Sequence, residues 1–199
     1  MNRAIDMLMH EHRVIEKVLG ALLAFAGRLE QGEQNERATL IEFAEFFRNF
    51  ADKCHHGKEE VHLFTAMVAK GVPQEGGPVG VMLYEHDLGR NFVAGMAKNI
   101  PLAAAGDAAA LGEFARHALG YVQLLRDHIH KEDHILFPMA DRIFSDSDQE
   151  RLMDAFETVE RDHMGEGTHE KYLAIAESLA ERFGVRKVAV EHGHSCCGH

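Results

Sequence analysis

Apolar residues recur every three or four positions along most of the chain, which is the spacing of a buried stripe on an α-helix. The pattern predicts five helices, over about residues 3–30, 36–70, 79–98, 107–144 and 148–183. Asp107 is the expected N-cap of the fourth helix, and residues 145–148 are the turn and cap before the fifth. The third helix is expected to stop near Pro101. No hairpin signal occurs, so no strand is expected.

Four long helices joined by short loops favour antiparallel packing. We therefore predict an all-α fold, an up-down-up-down four-helix bundle with an additional C-terminal helix. The predicted bundle spans residues 1–183, with its core at 3–144 and the extra helix at 148–183, and a His- and Cys-rich tail follows at 184–199.

Composition narrows the classes of function. The chain has 199 residues, of which 46% are hydrophobic, enough for one folded domain. Its net charge of −11 disfavours nucleic acid and anionic membrane surfaces as partners. The longest nearly unbroken apolar stretch, residues 18–27, is too short to span a bilayer, and the first residues do not resemble a signal peptide. A cytoplasmic protein without nucleic-acid or membrane partners is expected.

The chain contains 15 histidines, and some of them belong to an internal repeat. Glu11-His12 recurs as Glu85-His86 after 74 residues, and His55-xxx-Glu59 recurs as His128-xxx-Glu132 after 73. Residues i and i+4 share one face of a helix. The repeat therefore predicts that six side chains face a single site: His12, His55, Glu59, His86, His128 and Glu132.

Imidazole nitrogen together with carboxylate oxygen suits iron, manganese or zinc better than calcium or magnesium. Such residues on facing helices are a standard way for a bundle to hold two metals. We predict two iron ions per chain, with zinc or manganese as the alternatives.

A second register, His56-xxx-Glu60, has the same spacing. The repeat maps His56 to Ile129 and Glu60 to Asp133, and it therefore favours His55. Glu60 and Asp133 are expected to support a ligand histidine or to face solvent. Other histidines lack matching partners: His130 and His134 are expected to be exposed, and His10, His62 and His117 to lie at the surface or behind the ligands.

The motifs at residues 11–12, 55–64, 85–86 and 128–138 together resemble the hemerythrin-like (HHE cation-binding) family, over about residues 5–140. The resemblance implies a four-helix bundle with a non-haem di-iron centre that handles oxygen, nitric oxide, peroxide or iron. Hemerythrins proper place a second histidine four residues from the first on the third helix, whereas here Met82 and Arg90 flank His86. Reversible oxygen carriage is therefore not expected.

Six protein donors are few for two irons. Glu166-x-x-His169 has the i, i+3 spacing used in di-iron bundles and lies beside Gly165 and Gly167, where a kink, a π-bulge or a plain turn is expected. We predict that Glu166 or His169, preferably His169, completes the metal shell. The alternative is that both side chains belong to a solvated helix face.

The resemblance and the predicted site together imply binding or reduction of a small oxidant (dioxygen, peroxide or nitric oxide) or the sensing or handling of iron, with an unidentified reductase or signalling protein as the expected partner. The alternative is a histidine-rich protein that binds or stores iron, zinc or copper without catalysis. Cys54 is expected to be a buried small side chain or to lie near the metal. Cys196 and Cys197 either bind a soft metal, act as a redox handle or have no role.

Overall fold

The computed structural model describes residues 3–32, 37–161 and 168–185. Within these residues the chain is helical and contains no strand, as predicted. The helices are α1 (Ala4–Glu30), α2 (37–69), α3 (Pro78–Ala103), α4 (108–143), α5 (Asp146–Val159) and α6 (Thr168–Arg182). Helices α1 to α4 form the predicted up-down-up-down bundle, in which α4 packs on α1 and α3. None of the described helices is both long and apolar enough to cross a membrane.

Two of the bundle helices contain widened π-helical turns, which the apolar pattern did not predict. In α2 these turns are Phe47–His56 and Glu59–Leu63, and in α4 the turn is Glu132–Leu136. A π turn bonds each N–H to the carbonyl five residues back. Accordingly, the Phe64 and Phe137 N–H groups bond to the carbonyls of Glu59 and Glu132. The irregular turns thus coincide with the predicted site.

The predicted helix starts are confirmed at two caps. The Asp107 carboxylate accepts a hydrogen bond from the Ala110 N–H at 2.9 Å. Ser145 and Asp148 form a capping box at the start of α5, in which each side chain accepts from the other's backbone N–H. Both caps satisfy N–H groups that a helix cannot pair internally.

The third helix was expected to stop near Pro101, and α3 in fact includes Pro101 and ends at Ala103. A proline inside a helix removes one backbone hydrogen bond. Here Ile100 and Ala103, on either side of it, are both buried in the core, and their packing offsets that loss.

The region predicted as one interrupted C-terminal helix contains α5 and α6. Gly165 and Gly167 lie outside the described residues, so the predicted irregularity at them stays a prediction. Helix α6 packs on α1 and α2, and it contributes Tyr172, Ala176 and Leu179 to the core.

The core consists of two apolar clusters with a polar layer between them. Along α1 one cluster ends at Leu8 and the other begins at Val14, and along α4 they are separated between Ile129 and Leu136. The predicted metal donors fall into this gap on all four bundle helices. The two clusters therefore enclose the site and isolate it from water.

Removal of an aromatic ring from the larger cluster should unfold the protein more easily. Phe43 is fully buried and its ring lies 5.3 Å from that of Phe25 and 5.6 Å from that of Phe183. We expect Phe43→Ala to lower the free energy of unfolding by about 3–5 kcal/mol, measured by urea denaturation. The matched control Leu23→Ala, at a side chain 40% exposed, should change it by no more than about 0.5 kcal/mol. Equal losses would contradict this assignment of the core.

Candidate metal centre

The structure brings the six sequence-predicted residues of α1 to α4 together in the polar layer. All six are buried, with at most 1% exposure: His12, His55, Glu59, His86, His128 and Glu132. Glu132 Oε2 lies 3.2 Å from both His12 Nε2 and His128 Nε2. The two oxygens of Glu59 lie 3.4 Å from His55 Nε2 and 3.5 Å from His86 Nε2.

The donors form two groups, and within each group one donor atom per residue lies within 4.8 Å of the others. The first group is His12, His55, Glu59 and Glu132, and the second is His56, Glu59, His86 and His128. Glu59 belongs to both groups, and Glu132 contacts a histidine of each. The two carboxylates therefore lie where they can bridge two cations.

A carboxylate behind each ring orients the imidazole of four histidines. The Nδ1 contacts are His55 with Glu11 at 2.8 Å, His128 with Glu85 at 2.9 Å, His86 with Glu60 at 2.7 Å and His12 with Asp133 at 2.7 Å. Since a carboxylate accepts, each Nδ1 carries a proton, and in the neutral ring Nε2 then presents a lone pair to the centre. This is the arrangement by which a protein fixes the tautomer of a metal-binding histidine.

Each orienting carboxylate is in turn neutralised by a basic side chain. The pairs are Glu11 with Lys58, Glu85 with Lys131, Glu60 with Arg90 and Asp133 with Arg13. Glu59 and Glu132 differ, because no lysine or arginine of the described residues contacts them. Their four oxygens are buried, and they lack a hydrogen-bond partner within that part of the chain.

A cation at the centre is what these buried groups lack. Two imidazole lone pairs converge where His86 Nε2 lies 3.1 Å from His128 Nε2, which is unfavourable unless a proton or metal ion lies between them. Burying an uncompensated carboxylate is also costly. The donor set of five imidazoles and two carboxylates therefore fits iron, manganese or zinc.

The pKa values of the central residues reflect the burial of Glu59 and Glu132 without a lysine or arginine partner. Burial raises the pKa of Glu59, and the neighbouring Glu132 carboxylate raises it further. Burial opposes protonation of His128, but Glu132 and Glu85 outweigh it and raise the pKa of His128 to about 9. Burial lowers the pKa of His55 to about 4 and that of His86 to about 3. Protons and metal ions therefore compete for the same donor atoms, and metal binding must displace a proton wherever a donor carries one.

The internal repeat extends to the aromatic rings that cover the site. The ring of His12 is stacked on Phe137 at 5.2 Å, and that of His86 is stacked on Phe64 at 5.8 Å. Phe64 and Phe137 are themselves 73 residues apart and end the two Leu-Phe motifs. The phenylalanines of the two matching Leu-Phe motifs therefore cover one histidine in each half of the centre.

His56 is the donor that sequence reasoning set aside. It is only 3% exposed, and its ring is stacked 3.8 Å from that of His86 within the second donor group. The repeat argued against it because its counterpart is Ile129. However, the π turn Phe47–His56 has no counterpart around Ile129, which lies in the regular segment Ala108–Lys131. The widened turn lets two consecutive residues, His55 and His56, face inward.

Of the two predicted C-terminal donors, only His169 lies within the described residues, and it belongs to neither of the two central groups. Glu166 lies outside the described residues. His169 belongs to a third group, with Glu11, Cys54 and Glu160, and its Nδ1 lies 3.7 Å from Glu160 Oε1. The structure therefore places His169 behind His55 and away from the two central groups, because Glu11 lies between.

The remaining candidates are peripheral. His130 and His134 are exposed, as predicted. Cys54 is fully buried, and burial together with the charge of Glu11 raises the pKa of its thiol to about 12. Such a thiol is neutral at physiological pH and is a poor nucleophile. Cys196 and Cys197 lie outside the described residues.

Comparison with known proteins agrees with this geometry. The family described as Hemerythrin HHE cation binding domain matches residues 3–140. An uncharacterized protein of Mycobacterium bovis and two from strains of Mycobacterium tuberculosis are each 24% identical over 182 residues, covering 92% of this chain and 71% of the relative. No solved structure matches. The family match covers all the central donors and ends before α5.

Metal removal should destabilise the protein. Ions that bind only the folded state stabilise it by about 2.7 kcal/mol at a concentration one hundred times Kd. We expect two metal equivalents per chain after gentle purification, and a melting temperature that falls on chelation and recovers when iron(II) is restored anaerobically. Elemental analysis and calorimetry measure the two quantities. A stoichiometry well below one, or unchanged melting, would contradict the assignment.

His56 and His130 provide a matched pair for testing the donor set. We expect His56→Ala to lower the metal content by about one equivalent, because it removes a donor from one group only and leaves His12 and His55 intact. His130→Ala, at an exposed position, should leave the content unchanged. Elemental analysis distinguishes the two. Full retention of both ions by His56→Ala would exclude it as a ligand.

Proposed function

Because the chain belongs to the hemerythrin HHE cation-binding domain family, we propose that it is a non-haem di-iron protein that binds or reduces a small oxidant. The candidates are dioxygen, peroxide and nitric oxide. One observation carries the proposal: Glu59 and Glu132 are buried side by side, and no lysine or arginine of the described residues contacts them. Two divalent ions supply the missing positive charge, and five imidazoles complete the donor set.

When bound, two ferrous ions supply one electron each to a small oxidant. The residues of this chain hold and shield that centre. The orienting carboxylates fix the histidine rings, so that little reorganisation is needed when the charge of the site changes. Phe47 and Phe50, fully buried, and Leu125 exclude bulk water on the side of the larger cluster.

A cavity of about 260 Å³ gives a small ligand access to the second donor group. It is bordered by His56, by the Asp52–Arg90 ion pair and by the ring of Tyr121. Gly89 also lines it. The cavity is smaller than the 300–1,000 Å³ typical of pockets for drug-sized organic molecules. Its size supports a diatomic or peroxide ligand.

Repeated reduction of an oxidant consumes electrons, so we further propose a reductase or other electron donor as a partner. A protein that stores metal without catalysis is the alternative. The histidine-rich tail that suggested it lies almost wholly outside the described residues, which end at residue 185.

Anaerobic titration tests the proposed chemistry. We expect the protein loaded with two ferrous ions to be oxidised by about one equivalent of hydrogen peroxide, since two electrons and two protons convert it to two waters. Near-ultraviolet and visible absorption should rise in step with the peroxide added. The zinc-loaded protein is the control and should give no absorption change. Iron that stays bound and ferrous in the presence of peroxide would contradict the redox proposal and favour storage.

A further inference from the structure

A fully buried lysine lies between the metal centre and the C-terminal helices. Lys58 occupies α2 between two donors, His56 and Glu59, and its ammonium group is 0% exposed. Its Nζ lies 2.5 Å from Glu11 Oε1 and 2.5 Å from Glu160 Oε1. A buried ammonium ion is tolerated only when it is paired in this way. Burial opposes its charge, but Glu11 and Glu160 hold the pKa of Lys58 above its usual value.

These contacts continue to a metal donor. The other oxygen of Glu11 accepts a hydrogen bond from His55 Nδ1 at 2.8 Å. The resulting chain runs from Glu160 through Lys58 and Glu11 to His55. Glu160 directly follows α5, which lies beyond the family match at residues 3–140. The C-terminal part of this protein therefore contacts the orienting network of one donor group.

The internal repeat contains a second network of the same kind, but in that network no described residue corresponds to Glu160. Lys131 pairs with Glu85, which accepts from His128 Nδ1 at 2.9 Å. Lys131 is 34% exposed and Glu85 is 12% exposed, and Lys131 forms no ion pair with a second carboxylate of the described residues. The two halves thus differ in burial and in the presence of Glu160.

This difference has a physical consequence. Around Lys58, loss of the ammonium group leaves the Glu11 charge in a site 2% exposed, where solvent cannot compensate it. Around Lys131, water can replace the lost cation, because exposed ion pairs contribute little. The same substitution at the two lysines should therefore disturb His55 much more than His128.

We propose that Lys58 is a positioning residue that couples Glu160, and with it the C-terminal helix α5, to the metal position of His12 and His55. The two positions of this chain consequently hold their ions with different strength, and the C-terminal helices stabilise one of them. This inference rests on the two-metal part of the proposed function and does not require redox activity.

Cobalt(II) is a suitable probe, because its release to a chelator is followed by visible absorption without redox chemistry. We expect Lys58→Met in the full chain to accelerate the release of one cobalt ion about 10- to 100-fold, the usual effect of losing an outer-shell partner. Release of the second ion should stay within about twofold of the wild type. Lys131→Met, its counterpart in the repeat, should accelerate release by no more than about fivefold, as for an exposed ion pair. Equal effects of the two substitutions would overturn the proposal.

Glu160→Gln tests the connection to the C-terminal helix without removing the buried lysine, and it keeps the test valid if Lys58→Met does not fold. Its side chain is 26% exposed, so the substitution is compatible with folding. We expect it to accelerate release of the same ion about 3- to 10-fold. The control Glu157→Gln, at an exposed position of α5, should leave release unchanged. Circular dichroism of the metal-free variants separates general unfolding from this effect.

The outcomes separate the two proposals. Failure of the peroxide titration with normal cobalt release would remove the redox function and leave this inference standing. Two cobalt ions released identically by the wild type, Lys58→Met and Glu160→Gln would overturn this inference alone. Fewer than two cobalt ions bound by the wild type would contradict both.

Discussion

Burial of two adjacent carboxylates without a lysine or arginine partner is the constraint on which the rest of the structure depends. Glu59 and Glu132 lie in a polar layer between two apolar clusters, where an uncompensated charge is costly. The surrounding residues do not remove this cost, because the neighbouring lysines and arginines are already paired with the orienting carboxylates. The charge balance is completed by cations, and the lone pairs of the histidines converge where those cations bind.

The second organising feature is an approximate duplication with local departures. The donors, the orienting carboxylates, the covering aromatic rings and the lysine partners all recur at an offset of 73 or 74 residues, whereas the arginine partners Arg13 and Arg90 do not follow it. Two departures make the halves unequal. A π turn brings His56 into the second donor group, and Glu160 is added behind His55 in the first. A nearly symmetric scaffold thus gives two chemically different donor groups, one beside a cavity and the other next to a buried ion-pair network.

The sequence alone predicted the bundle and six residues of the site. Both predictions depend on spacing along the chain: the helical period of the apolar residues, and the recurrence of the same residue types after 73 or 74 positions. The sequence did not predict that His56 faces the site, because this orientation depends on a π turn, and no residue type in this stretch predicts a π turn. Glu11, Glu85, Lys58 and Lys131 belong to or adjoin the motifs, but their roles depend on contacts between helices. Conversely, the spacing of His169 from Glu166 matched a ligand motif, yet the structure places His169 behind His55, because spacing does not specify which side of His55 a helix approaches.

X-ray absorption spectroscopy of the iron-loaded protein tests the central claim most directly, because it reports on the neighbours of each iron. If Glu59 and Glu132 hold two ions between them, the spectrum should show nitrogen and oxygen ligands together with an iron neighbour at about 3.5–4 Å, the spacing of two-metal sites. Glu59→Ala should abolish that metal neighbour. A wild-type spectrum with nitrogen and oxygen ligands but no iron neighbour would contradict the shared centre.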